Sequence, residues 1–287
     1  MDASISFGLL AALCWGSSDF VAKVTAGRIG ALRTALFLQY LGGILLLLLL
    51  AGEIPLLWQF PTEAYLVLGI GVINSVAVFC LYKGFEVGQL SIISPIASSY
   101  PALSTILAVF LLNETVSQER LIGILAILGG IVLVSFQRGS AGALEKKGIA
   151  AGVGYAIAAF LSLGFMFFAL KLVVNDLGAF LPVLLIRIVC SLILTAVVVL
   201  APKHSHGLNS RDLLLVGVIG VVDTVGNVVY NLGIITGAVS VVSTVSGLFS
   251  AITVLLAFII LKERLLPHQG VGLLAILVGV SIIGYVG

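Results

Sequence analysis

The stretch IGVVDTVGNVVYNLG, residues 219–233, places a carboxylate, two carboxamides and a phenol inside an apolar tract. Asp223, Asn227, Tyr230 and Asn231 fall at i, i+4, i+7 and i+8, on one face of a helix. Arg187, in PVLLIRIVCS, is the natural counter-ion. It can neutralise Asp223, or it can hold a substrate carboxylate through its planar fork of donors. Asn74, Val78 and Tyr82 repeat the 223–227–231 spacing earlier in the chain. Asp19 and Lys23 lie four apart near the end of the first apolar tract. They can form a local ion pair with Lys23 reaching toward the interface. Alternatively Asp19 joins a proton path or binds a substrate amine. Two serine stripes, Ser91, Ser94 and Ser98, then Ser240, Ser243 and Ser250, suit either close helix packing or hydrogen bonding to a solute. Pro95 and Pro101 predict a kinked helix beside the first stripe.

These residues need apolar elements to hold them. Of 287 residues, 61% are hydrophobic and 9% charged, against about 25% charged in a typical soluble domain. Mean hydropathy is +1.28. The chain therefore reads as a multi-pass, all-α membrane protein. A net charge of +2 argues against a nucleic-acid partner. Cys14, Cys80 and Cys190 each sit in an apolar run and read as small hydrophobes, with no disulfide framework and no metal cluster. The start, MDASISFGLLAALCWG, lacks a basic leader and reads as a retained first helix.

Ten spans of roughly 20 residues are expected: 4–24, 31–51, 63–84, 89–112, 119–137, 148–171, 178–201, 211–235, 238–261 and 267–286. They form two copies of one five-span unit. GILAILGGIVLVSF from Gly123 recurs as GLLAILVGVSIIGY from Gly272, 149 residues later. At that offset Glu63–Phe136 aligns with Asp212–Tyr285 without a gap, and Glu114 meets Glu263. A weaker match at a shorter offset joins Gly8, Ala11, Trp15 and Phe20 to Gly148, Ala151, Tyr155 and Phe160. The units are residues 1–137 and 148–287, with a linker loop at 138–147. An odd number of spans inverts the second copy relative to the first. Inverted repeats are the architecture of secondary transporters, which bind their solute near the midplane between the halves.

The opening LLAALCWGSSDFVAK, the glutamates in LLNET (Glu114) and ILKER (Glu263), and the small-residue final helix of each copy resemble the EamA family of the drug/metabolite transporter superfamily. That resemblance implies ten helices around a central cavity and movement of small metabolites such as amino acids. It implies no cofactor. Relatives with four helices carry an essential carboxylate in their first helix, which adds interest to Asp19. The family often has an arginine in the second helix of a repeat. The second copy has Arg187, whereas the first has Gln39 in LFLQYLGG.

Lysines and arginines are distributed unevenly. Odd-numbered loops and their flanks hold Lys23, Arg28, Arg33, Lys83, Arg138, Lys146, Lys147, Lys203, Arg211, Lys262 and Arg264, and even-numbered loops hold Arg120 and Lys171. The positive-inside rule then puts both termini outside the cytoplasmic membrane. His204, His206 and His268 lie in loops without metal-ligand spacing, and the chain has no HExxH, P-loop or nucleophile-elbow motif. The expected function is therefore non-enzymatic: secondary transport of a small metabolite, with an amino acid or similar zwitterion suited to the mixed charges. Efflux of cationic drugs is the alternative. Asp223, Arg187, Asn227, Asn231, Asn74, Asp19, Tyr82, Ser94, Ser98 and Ser243 are the expected binding or coupling residues. Protons are expected as a coupling partner, because an apolar site penalises charge and lets a carboxyl exchange a proton. Lipid is the remaining partner, and the chain would work as a monomer or homodimer.

Overall fold

A glycine in a left-handed conformation marks the same place in each half of the chain. Gly30 (φ 88°) separates the first two helices, and Gly178 (φ 73°) precedes the corresponding helix of the second half. Only glycine adopts such a turn without steric cost. The fold is known from a computed structural model that describes residues 3–51, 63–112, 117–135, 143–200, 209–236, 242, 245–263 and 266–285. Its helices are α1 (Ala3–Ile29), α2 (Ala31–Leu49), α3 (Glu63–Val87), α4 (Leu90–Ala97), α5 (Tyr100–Leu112) and α6 (Gln118–Ser135) in the first half. The second half has α7 (Ala143–Lys171), the single turn α8 (Val174–Leu177), α9 (Leu181–Leu200), α10 (Ser210–Thr236), α11 (Phe249–Leu256) and α12 (Pro267–Tyr285). A π-helical turn, Ala257–Leu261, extends α11. No strand occurs among the described residues.

Among the described residues, six helices are long and apolar enough to cross a membrane: Ile5–Ile29, Ala31–Leu49, Ala64–Val87, Gly152–Leu170, Leu181–Leu200 and Ser210–Thr236. Val245–Leu261 and Gly270–Gly279 are shorter apolar helices. The expected single span at 89–112 is broken in two at Ser98–Ser99. Pro95 and Pro101 cause the break, since neither offers a backbone N–H. Ser98 Oγ and Ser99 Oγ donate to the carbonyl of Pro95 at 3.0 and 2.8 Å and stabilise the bend. Helix α7 begins at Ala143, inside the stretch expected to be a linker loop, 138–147, whose residues 138–142 lie outside the described residues.

The packing is reciprocal. A Cβ on Gly130 of α6 would lie 2.6 Å from the carbonyl oxygen of Gly272 and 2.7 Å from Ile276 of α12. A Cβ on Gly279 of α12 would lie 2.6 Å from the carbonyl oxygen of Gly123 and 2.7 Å from Ile127 of α6. The two contacts interchange under an offset of 149 residues, the mark of a two-fold relation. Helices α6 and α12 thus pack on each other through their small-residue faces. The same exchange pairs α1 with α10 and α3 with α7 as the next most extensive contacts.

For the early helices of each unit the structure corrects the register. Gly16 packs against Ile252 and Gly164 against Leu103, while Gly220 packs against Leu41 and Gly71 against Val189. Taken with Gly30 and Gly178, these contacts set the offset at 148. Trp15 therefore corresponds to Leu163, not Tyr155, and Lys23 corresponds to Lys171. The shorter offset differs from this one by eight residues, about two helical turns. Apolar sequences match themselves almost equally well at such shifts, so only packing separates them.

Candidate substrate cavity

Between the two halves lies a cavity of about 90 Å³. It is lined from α1 by Trp15 and Asp19, from α2 by Leu38 and Gln39, and from α3 by Asn74, Val78, Leu81 and Tyr82. Tyr100 comes from α5, Leu163, Met166, Phe167 and Leu170 from α7, and Val183, Ile186 and Arg187 from α9. Asp223, Asn227 and Asn231 of α10 and Phe249 of α11 complete it. Most of this wall obeys the two-fold register. Asn74, Val78 and Tyr82 correspond to Asp223, Asn227 and Asn231. Gln39 corresponds to Arg187, Asp19 to Phe167, and Tyr100 to Phe249. The pseudo-axis passes through the cavity, yet the chemistry is asymmetric, because each charged side chain faces an uncharged counterpart.

The centre is an ion pair. Arg187, 4% exposed, donates from Nη2 to Asp223 Oδ2 and from Nη1 to Gln39 Oε1 at 2.8 Å. Asn227 Nδ2 donates to the same carboxylate oxygen at 3.1 Å and to the Asp223 carbonyl at 2.8 Å. Arg187 can only donate, so the amide oxygen of Gln39 must face it and the Nε2 group points elsewhere. That nitrogen is buried and has no protein partner. Asn231 Nδ2 donates to the Ala179 carbonyl at 2.9 Å, which leaves its buried Oδ1 unmatched. Asn74 Nδ2 and Ser75 Oγ both donate to Cys190 Sγ at 3.2 Å.

Asp19 is 7% exposed and its Oδ2 has no partner. The expected ion pair with Lys23 does not form. Lys23 Nζ instead donates to the carbonyls of Phe85 and Gly88, both at 2.5 Å. These carbonyls at the end of α3 lack intrahelical donors and carry the negative end of the helix dipole, so they compete successfully for the ammonium. Lys23 is drawn inward and does not snorkel.

Seven of the ten residues expected at the site line the cavity: Asp223, Arg187, Asn227, Asn231, Asn74, Asp19 and Tyr82. Ser94 and Ser98 do not. Their helix is broken at this point, and the Ser98 hydroxyl is committed to a backbone carbonyl. Ser94 Oγ is fully buried in packing and has no partner. Ser243, together with Ser240 and Glu114, lies outside the described residues. The sequence reading treated Gln39 as a departure from the family pattern and missed its role as the second acceptor for Arg187. It also missed Phe167. Trp15, Phe167, Tyr230 and Phe249 form a connected aromatic group, with Trp15–Tyr230 and Phe167–Tyr230 centroids 5.4 and 5.0 Å apart, and Tyr100 stacks on Phe167 at 4.3 Å. The correct first-helix register would have placed Phe167 opposite Asp19.

A helical bundle of two exchangeable halves, closed around a cavity at their interface, defines an integral membrane protein of the transporter class. The chain matches the EamA-like transporter family twice, over residues 3–136 and 150–285, and belongs to that family within the drug/metabolite transporter superfamily. An uncharacterized protein of Methanocaldococcus jannaschii is 30% identical over 136 residues, which cover 47% of this chain and 98% of that one. That relative has the length of a single repeat. A solved crystal structure shares the fold with a TM-score of 0.72 at 16% identity, covering 99% of this chain and 96% of that one.

Proposed function

We propose that the cavity is the solute site of a secondary active transporter for small zwitterionic metabolites, amino acids foremost. One observation carries the reading. Beside the Arg187–Asp223 pair, buried polar atoms of both kinds lack partners: a donor on Gln39 and acceptors on Asp19 and Asn231. An unmet buried polar group costs about 1–3 kcal/mol. A solute carrying an ammonium and a carboxylate would satisfy both kinds at once, and Arg187 could exchange Asp223 for the solute carboxylate. Helices too short or broken to span as continuous rods complete the ten-segment, inverted-repeat arrangement, with the chain in the cytoplasmic membrane and both termini outside. Protons are the coupling partner, carried by Asp223 or Asp19. Transport proceeds as one repeat rocks against the other.

Efflux of cationic compounds is the second reading. Asp19 favours it, because this carboxylate forms no ion pair among the described residues and stands beside the aromatic wall. The test is purified protein in liposomes. Charge movement is recorded on adding amino acids and then cationic dyes, with and without a pH gradient, for wild type and Asp223→Asn. Gradient-dependent amino-acid signals that vanish in the variant support the first reading. Signals with dyes alone replace it with the second.

A further inference from the structure

The cavity lies near one end of the bundle and is separated from the other by a thick apolar seal. It extends to Leu170, one residue from the end of α7, and to Val183, near the start of α9. In the opposite direction it stops at Asp19, Leu38, Tyr82 and Asp223. Beyond those residues a single buried apolar cluster continues, with Ala22 and Ala26 of α1, Ala31 and Ala35 of α2, Phe85 of α3 and Ile219 of α10.

Across this seal runs the tight turn between α3 and α4. Lys23 holds its incoming side through the carbonyls of Phe85 and Gly88. Glu263 holds its outgoing side: Oε1 accepts from Leu90 N at 3.0 Å, and Oε2 accepts from Ser91 N at 2.8 Å and Ser91 Oγ at 2.6 Å. A cation thus caps a helix C-terminus and a carboxylate caps the next N-terminus, each matching the sign of the helix end. A helix is usually capped by its own N-cap side chain. Here the N-cap residue Gln89 makes no such bond. The cap of α4 comes from the other repeat, so it holds only while the two repeats keep this arrangement. Arg28 of the first repeat and Asp212 of the second add a further tie at the same end, at 3.1 Å.

We propose that the α3–α4 turn, gripped by Lys23 and Glu263, is the latch of the sealed mouth. Both residues must release the turn before the cavity can open at that end. The proposal rests on the transport reading of the cavity, and its primary test needs no solute. Amide exchange is followed by mass spectrometry on the full chain in lipid nanodiscs, for wild type, Glu263→Gln and Lys23→Met. Both variants should speed exchange over residues 88–93 by about tenfold while α6 and α12 stay as protected as in wild type. In a background without the native cysteines, Ala26→Cys should react with a membrane-impermeant maleimide when combined with Glu263→Gln or Lys23→Met, and should resist it when both residues are native. Unchanged exchange over 88–93 and unchanged Ala26→Cys reactivity in both variants would overturn the latch. So would faster exchange with an unaltered transport rate in liposomes. If wild type moves no solute while the exchange and labelling results hold, the transport reading fails and the latch stands as a property of the bundle.

Discussion

Arg187 is held by two acceptors on different helices. Its partners are the carboxylate of Asp223 and the amide oxygen of Gln39. Removing one member of a buried ion pair strands the other, at about 3–5 kcal/mol for a fully buried pair. The Asp223 side chain retains 20% exposure, so the lower end of that range applies. Arg187→Met and Asp223→Leu should each lower the thermal midpoint in detergent, and the double variant should be more stable than either single one. A double variant as damaged as the sum of the two would show that the pair is not coupled. Arg187→Lys keeps the charge but cannot span two acceptors with a planar fork. It should reduce transport in liposomes by at least about tenfold, with protein yield near wild type. Full activity would remove the bidentate role from the site.

The α6–α12 crossing offers a matched test at the level of elements. Gly130 and Gly279 face backbone atoms of the partner helix, which cannot move aside as a flexible side chain would. Gly130→Ala and Gly279→Ala should destabilise by about 1–3 kcal/mol each, the usual range for overpacking. Their effects should be similar, because their surroundings are related by the two-fold. Gly129, with open space where a Cβ would stand, is the control. Gly129→Ala should be neutral or stabilising by up to about 1 kcal/mol, since alanine is the better helix former. Thermal unfolding of the three variants checks both statements. A second case is Gly42 of α2, where a Cβ would strike Thr224 Oγ1 and come within 3.0 Å of Arg187 Nε. Gly42→Val should displace the guanidinium and abolish transport even though residue 42 carries no functional group.

At the scale of the whole molecule, the proposed orientation rests on the charge distribution. Lys23, Arg28, Lys83 and Lys262 cluster at the sealed end, which the positive-inside rule assigns to the cytoplasm. In that orientation the cavity lies nearer the outer face, on the side of the buried residues Leu170 and Val183. An epitope tag on either terminus should be detected on intact cells without permeabilisation. Detection of either tag only after the membrane is opened would reverse the orientation. The two repeats divide the chemistry unequally. The first contributes one charge, Asp19, beside the uncharged Gln39, Asn74 and Tyr82, and the second the pair Arg187 and Asp223 beside Asn227 and Asn231, so a symmetric frame carries a polarised cavity.

The sequence alone determined the membrane class, the two repeats, the 149-residue register of their later helices and the polar face of α10. These follow from composition and periodicity, and burial in lipid makes both strict: polar residues in an apolar tract stand out, and glycine, serine and glutamate recur in step. Tertiary structure decided the rest. It set the register of the early helices, where apolar self-similarity leaves shifts of about two turns nearly degenerate. It took Ser94 and Ser98 out of the cavity, because a proline-broken helix commits a hydroxyl to a freed carbonyl. It sent Lys23 to α3 rather than to Asp19, because helix-end carbonyls 62 and 65 residues away in sequence proved the better partners. Spacing along a chain reveals which residues share a face. Which of several polar partners a buried charge chooses depends on what the fold brings within about 3 Å of it.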